Sequence, residues 1–152
     1  MNFKRYTSLF FMILLVSGLI LTAGCSSGVI ETPVEEEIES PSLVIKDISA
    51  QDAFSLIGEN SDNPDFVIID VRTPEEYDEG HVEDADNIDF YAPDFSERLN
   101  SLDKSKTYLI YCRSGNRSGQ ALAIIKEMDF LKIYHMDGGM LEWTAEELPT
   151  VK

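Results

Sequence analysis

Cysteine is scarce in this chain, with two residues among 152. They stand far apart: Cys25 closes an apolar run near the N-terminus, and Cys112 lies well inside the sequence that follows. A framework of disulfides is therefore excluded as the source of the fold. Basic residues are few as well, 12 Lys and Arg against 28 Asp and Glu, for a formal charge of −16. Such a surface repels phosphate backbones, and nucleic acid is not expected as a partner. The 2 histidines, His81 and His135, are isolated from any cluster of metal-ligating residues, so no metal is expected. There is no internal repeat. Apolar residues are plentiful, at 43% with 10% aromatic, which at this length implies one folded domain with one core.

The N-terminus has the grammar of an export signal. Lys4 and Arg5 are followed by a stretch from Leu9 to Leu21 that is apolar apart from Ser17 and Gly18, and the small residues Thr22-Ala23-Gly24 come next. With Cys25 after them, Leu21-Thr22-Ala23-Gly24-Cys25 resembles a lipobox, in which the aliphatic residue more usual at the Thr22 position is missing. The expectation is a signal peptide at residues 1–24 and lipid on Cys25. An uncleaved transmembrane anchor is the alternative, since no charge falls between Tyr6 and Ile30 and about 20 apolar residues span a bilayer. Both routes attach the chain to the cell membrane with its domain on the extracytoplasmic side, because the flanking positive charge precedes the apolar run. Residues 25–41 then carry Glu31, Glu35, Glu36, Glu37 and Glu39, two prolines and no base, and read as an acidic flexible tether.

Residues 42–152 alternate two kinds of segment. Residues 66–70 and 107–111 are short, nearly continuous apolar runs rich in β-branched and aromatic residues, the pattern of strands covered on both faces. Residues 43–45, 132–134 and 85–88 are weaker strand candidates. Helices are expected at 50–57, 74–78, 93–102, 116–130 and 138–147; in the fourth, Ala121, Leu122, Ile125 and Met128 supply a core face at helical spacing. This β-α-β-α order implies an α/β fold, with a central, mostly parallel five-stranded sheet flanked by helices on both faces.

Cys112 sits where the 107–111 strand ends and the 116–130 helix begins, and ligand sites in open α/β sheets lie at such carboxyl ends of strands. The intervening Arg113-Ser114-Gly115-Asn116-Arg117-Ser118 is small and polar, suited to turning successive backbone N–H groups towards one anion. Gly115 supplies the positive φ that such a turn needs. The helix N-terminus and the guanidinium groups of Arg113 and Arg117 add positive potential, and together these favour a thiolate. A buried cysteine acting only as a small hydrophobe would have no reason to sit beside two arginines.

The string from Cys112 to Ser118 resembles the active-site loop of rhodanese-like single-domain sulfurtransferases. Three further segments match in the family's order: Asp70-Val-Arg-Thr-Pro-Glu-Glu-Tyr77, Gly80-His81 with Asn87-Ile88, and Gly138-Gly139-Met-Leu-Glu-Trp143. One departure is Val82-Glu-Asp-Ala-Asp86, where members commonly carry a Pro-Gly or similar pair. The resemblance implies a rhodanese-like fold and a Cys112 persulfide that carries sulfane sulfur from a small anionic donor such as thiosulfate to a thiol or cyanide acceptor. It implies no cofactor. Arg113, Ser114, Gly115, Asn116, Arg117 and Ser118 would bind substrate; Asp70 and Arg72, which follow a strand expected beside the loop strand, could pair and brace the site. It implies a structural part for His81, and core packing is expected of Trp143. Two rival functions stay open: a rhodanese-fold phosphatase or arsenate reductase, whose loop is one residue longer than the six from Cys112 to Arg117, and a non-catalytic module that binds or delivers persulfide to a partner protein the sequence does not identify.

The lipobox resemblance gives a direct test. Mass spectrometry of the N-terminal peptide is expected to find residues 1–24 removed and Cys25 acylated, and Cys25→Ser is expected to release the protein or leave an unprocessed precursor. An intact, unmodified N-terminal segment on the wild-type chain would favour the transmembrane anchor.

Overall fold

A computed structural model describes residues 42–152. The export signal, Cys25 and the acidic segment all lie outside the described residues; among those described, no helix is long and apolar enough to cross a membrane. Ten elements alternate along the chain: β1 (Val44–Ile48), α1 (Ala50–Glu59), β2 (Phe66–Asp70), α2 (Pro74–Glu79), β3 (Ala85–Asn87), α3 (Phe95–Asn100), β4 (Thr107–Tyr111), α4 (Asn116–Ile125), β5 (Lys132–Met136) and α5 (Gly139–Ala145). The strands form one sheet in the order β1-β5-β4-β2-β3, and every neighbouring pair is parallel. The strand with the longest buried run, β4, takes the centre.

Side chains on successive strand residues point to opposite faces, and each face has its own apolar layer. Tyr108, Ile110 and Cys112 join Ile69, Val71 and Ile133 under Phe95 and Leu99 of α3 and Ala121, Leu122 and Ile125 of α4. Leu109 and Tyr111 join Ile68 and Met136 under Ala50 and Ala53 of α1 and Met140 and Trp143 of α5. Trp143 is buried in the second layer, and its indole N–H donates to the Pro149 carbonyl at 2.9 Å.

Local chemistry sets the element ends. Ser49 caps α1 by accepting from the Asp52 amide. Thr73 and Glu76 form a reciprocal capping box that starts α2 with Pro74 in its first turn. The expected strands at 43–45 and 132–134 both run further, to Ile48 and Met136, because the parallel register Val44↔Lys132 to Ile48↔Met136 completes their ladder. The helix expected at 116–130 stops at Ile125; the chain turns there so that Phe130 can enter the core against Tyr108. Where the Pro-Gly pair is lacking, the turn before β3 still forms, with Asp84 in the left-handed region at φ 60°. Aspartate is among the few non-glycine residues that tolerate this conformation.

At the end of β2, Asp70 is completely buried and holds Arg72 through three side-chain hydrogen bonds of 2.6–3.0 Å. The same guanidinium donates to the Gly80 carbonyl at 2.8 Å, and Asn87 donates to the carbonyls of Asp70 and Arg72. Burial works against the charged form of Arg72, but the bonds and field of Asp70 outweigh it and raise its pKa. This cluster ties β2, β3 and the end of α2 together beneath the Tyr111 ring, 5.9 Å from the Arg72 guanidinium carbon. Arg72→Ala leaves the Asp70 carboxylate buried without its partner, and a loss of about 3–5 kcal/mol is expected in denaturant unfolding. A loss below about 1 kcal/mol would show that the pair contributes no more than a surface ion pair.

Candidate active site

Cys112 follows β4 and is 1% exposed. The chain then swings through Gly115, whose φ of 77° is left-handed, before α4 begins. A Cβ at Gly115 would run into the Asp137 carbonyl oxygen, so the position excludes every other residue on two grounds. Gly139, at φ 58°, repeats this from the opposite side: a Cβ there would meet the carbonyls of Cys112 and Arg113. With both side chains absent, the turn between β5 and α5 closes on the loop. Met140 and Leu141 at the start of α5 donate their amides to the Cys112 and Arg113 carbonyls, each at 2.9 Å. Bound on its carbonyl side, the loop has its amides free for the sulfur.

The Ser118 hydroxyl lies 3.4 Å from Cys112 Sγ. Burial pushes the thiol's pKa up, but the Ser118 hydroxyl and the backbone N–H groups of Ser118, Ser114 and Arg117 stabilise the thiolate by more and hold it below the ordinary value. Ser118 Oγ also lies 2.9 Å from His135 Nε2, and His135 Nδ1 lies 2.8 Å from Asp47 Oδ1.

The loop's outer side faces an open cleft of about 500 Å³ lined by Thr73, Glu76, Tyr91, Arg113, Asn116 and Arg117. Arg117 donates through both terminal nitrogens to the two carboxylate oxygens of Glu76, at 2.6 and 2.7 Å. That fork holds the Glu76 carboxyl below its usual range and raises Arg117. Tyr91 places its ring 5.6 Å from the Arg117 guanidinium carbon. Arg113 is exposed and makes no ion pair among the described residues.

The seven loop residues expected from the sequence, Cys112 to Ser118, thus form one concavity in which Ser114, Arg117 and Ser118 turn donors to the sulfur. Asn116 is exposed at the rim, where its side chain accepts from Gln120. Asp70 and Arg72 stand on the Tyr111 face of the sheet and brace the strand ends from there. His81 is held by the Tyr77 carbonyl and stacks on the Tyr77 ring, 3.6 Å between centroids. Sequence reasoning passed over Glu76, Tyr91, Asp47 and the contact partners of His135. For Glu76 a signal was present, since Thr73-Pro74-Glu75-Glu76 spells a capping box that fixes the start of α2 beside the loop.

The model of the rhodanese-like domain matches residues 54–146. The chain belongs to the rhodanese-like domain family. It is similar to a sulfurtransferase of Allochromatium vinosum, 32% identical over 66% of this chain and 92% of that one. The polysulfide-sulfur transferase homodimer from Wolinella succinogenes shares its fold, with a TM-score of 0.57 and 30% identity over 70% of this chain and 78% of that one. A tRNA uridine(34) hydroxylase of Enterobacter is 31% identical over 74% of this chain, which spans only 34% of that protein. The rhodanese-like fold expected from the sequence is the one found, and the four matching sequence segments meet around Cys112 or in the cluster that braces its strand.

The lowered thiol pKa keeps a thiolate present at pH values where an ordinary cysteine is protonated. Iodoacetamide is therefore expected to alkylate Cys112 with a pH midpoint below that of an ordinary cysteine, as peptide mass spectrometry can follow. Gly115→Ala, which opens the clamp, is expected to move that midpoint back towards the ordinary value. An unchanged midpoint in the variant would mean that loop closure does not set the thiol's acidity.

Proposed function

We infer that this domain is a sulfurtransferase that works through a Cys112 persulfide. The observation that carries the reading is the Cys112 sulfur itself, buried at the end of the central strand with the Ser118 hydroxyl and loop amides turned to it, which lower its pKa. The thiolate attacks the outer sulfur of a donor such as thiosulfate; the donor's sulfur–sulfur bond breaks and sulfite leaves with the electron pair. The loop amides then hold the persulfide anion as preorganised donors. A thiol or cyanide acceptor attacks the outer sulfur and returns the Cys112 thiolate. The relative from Allochromatium, named a sulfurtransferase and covered along 92% of its length, supports the same class of reaction.

Arg113 is the guanidinium placed to draw an anionic donor into the cleft, because Glu76 neutralises Arg117. Arg117 chiefly holds α2 against the loop. A six-residue loop suits a sulfur atom better than the larger tetrahedral oxyanion of a phosphatase. On this reading the lipid at Cys25 and the acidic tether keep the reaction at the outer face of the cell membrane.

Incubation of the full chain with thiosulfate is expected to add one sulfur atom to Cys112, read by intact mass, and Cys112→Ser is expected to abolish loading and turnover with the thermal melt unchanged. Arg113→Ala is expected to raise the KM for thiosulfate, and Glu76→Gln, which releases Arg117, to lower it. Sulfur transfer by the Cys112→Ser protein, or phosphate-ester hydrolysis outrunning sulfur transfer in the wild type, would overturn the assignment. A folded wild type that accepts sulfur from no donor would point to the non-catalytic module.

A further inference from the structure

The sulfur of Cys112 is almost fully buried, at 1% exposure, so a route for its proton through neighbouring side chains has a use. Strand alternation puts Ile133 and His135 of β5 on the face that α4 covers, and the parallel register sets Asp47 of β1 directly beside His135. Ser118 of α4 comes down on the same spot. The result is an unbroken line of contacts: Cys112 Sγ to Ser118 Oγ at 3.4 Å, Ser118 Oγ to His135 Nε2 at 2.9 Å, and His135 Nδ1 to Asp47 Oδ1 at 2.8 Å. The His135 side chain is 7% exposed and that of Asp47 is 66% exposed, so the line begins at a buried sulfur and ends in solvent.

Ser118 has a single hydroxyl proton, and its direction is decided by its neighbours. When His135 Nε2 is bare it accepts that proton, and the hydroxyl has nothing left to give the sulfur. When Nε2 carries a proton it donates to Ser118 Oγ, and the hydroxyl proton is released towards Sγ. The Gly115 carbonyl, 3.2 Å from Oγ, is the third taker and represents the usual back-bond of a helical serine. Asp47 Oδ1, 2.8 Å from Nδ1, is placed to accept from Nδ1–H in both states of the ring, so Nε2 is left as the position that changes.

We propose that Ser118, His135 and Asp47 form a relay that takes the proton of Cys112. The S–H proton passes to Ser118 Oγ as the Ser118 proton passes to His135 Nε2. One S–H bond is exchanged for one N–H bond, with no oxidant or reductant involved, and the product is a Cys112 thiolate facing an imidazolium held by Asp47. His135 and Asp47 are positioning residues in this scheme, since neither touches the reacting sulfur. The charges around the ring are few among the described residues. Asp47 meets it from β1, Ser118 is the group presented by α4, and Cys112 at the end of β4 also feels Arg117. Lys46 and Lys132 project to the opposite face by alternation, and Asp137 is exposed beyond the strand end.

The proposal rests on Cys112 as the nucleophile, and its test separates the two. Alkylation of Cys112 by iodoacetamide is measured on the full chain in detergent from about pH 5 to about pH 9, with sulfur loading from thiosulfate measured in parallel. His135→Leu is expected to move the alkylation midpoint up by about one unit, roughly a tenfold loss of rate on the acid side, with the alkaline plateau unchanged. His135→Gln, which keeps a donor towards Ser118 Oγ without the charge, is expected to recover part of that loss. Asp47→Asn, at an exposed site that leaves the fold intact, is expected to cost roughly threefold on the acid side, less because solvent screens Asp47. Profiles that superimpose on the wild type, or a depression equal at all pH values, would overturn the relay. If the midpoints move as expected while the wild type takes up no sulfur, the relay stands and the sulfurtransferase reading falls.

Discussion

The closure of the β5–α5 turn onto the loop after Cys112 is the constraint on which the site depends. A parallel strand delivers its last residue to an edge where the chain must reverse, and a reversing loop has unsatisfied carbonyls as well as amides. Here the first amides of α5 take up the carbonyls of Cys112 and Arg113. The Ser114 amide, on the other side of the Arg113 peptide, is left for the sulfur, and those of Arg117 and Ser118 join it. Gly115 and Gly139 are the two places where this closure would be blocked by a single carbon atom. The lowered pKa of the thiol is in that sense a product of the distance between two turns.

Two electrostatic effects of opposite sign meet at the sulfur. Burial disfavours the thiolate, and without the loop it would make Cys112 an inert core residue. Hydrogen bonds reverse the outcome because they are several and are fixed before any substrate arrives. The arginines contribute less than their position in the loop suggests. Arg117 is held by Glu76 in a two-pronged pair, which makes it a structural link between α2 and α4 and leaves Arg113 to set the charge of the cleft. An acidic chain thus keeps one small cationic spot at the mouth of its site.

Much of this was legible in the sequence wherever the partners are close along the chain. The strand–loop–helix order around Cys112, the positive φ at Gly115 and the Asp70–Arg72 pair all follow from neighbours a few residues apart. So did the two central strands, whose apolar runs leave little ambiguity. Contacts made across the sheet were not legible: Asp47 and His135 are 88 residues apart, and Arg117 and Glu76 are 41 apart. Nothing local to His135 announces a partner, because its neighbours are set by the order β1-β5-β4 and by the parallel register. The turn at Asp84 shows the opposite case, in which the usual residues are absent and the backbone adopts the left-handed geometry regardless.

The clamp on the loop is built from residues 137–141, while the cysteine beneath it comes 25 residues before the first of them. Order of synthesis therefore matters. A chain that has emerged only as far as β4 or α4 carries the cysteine without its carbonyl partners, and its thiol has the reactivity of any unfolded peptide. The loop amides are fixed on the sulfur only once β5 and α5 have docked, and β5 is also the strand that joins β1 to β4. The lowered pKa of the thiol is thereby coupled to completion of the fold, and a chain that lacks its clamp carries Cys112 as an ordinary cysteine.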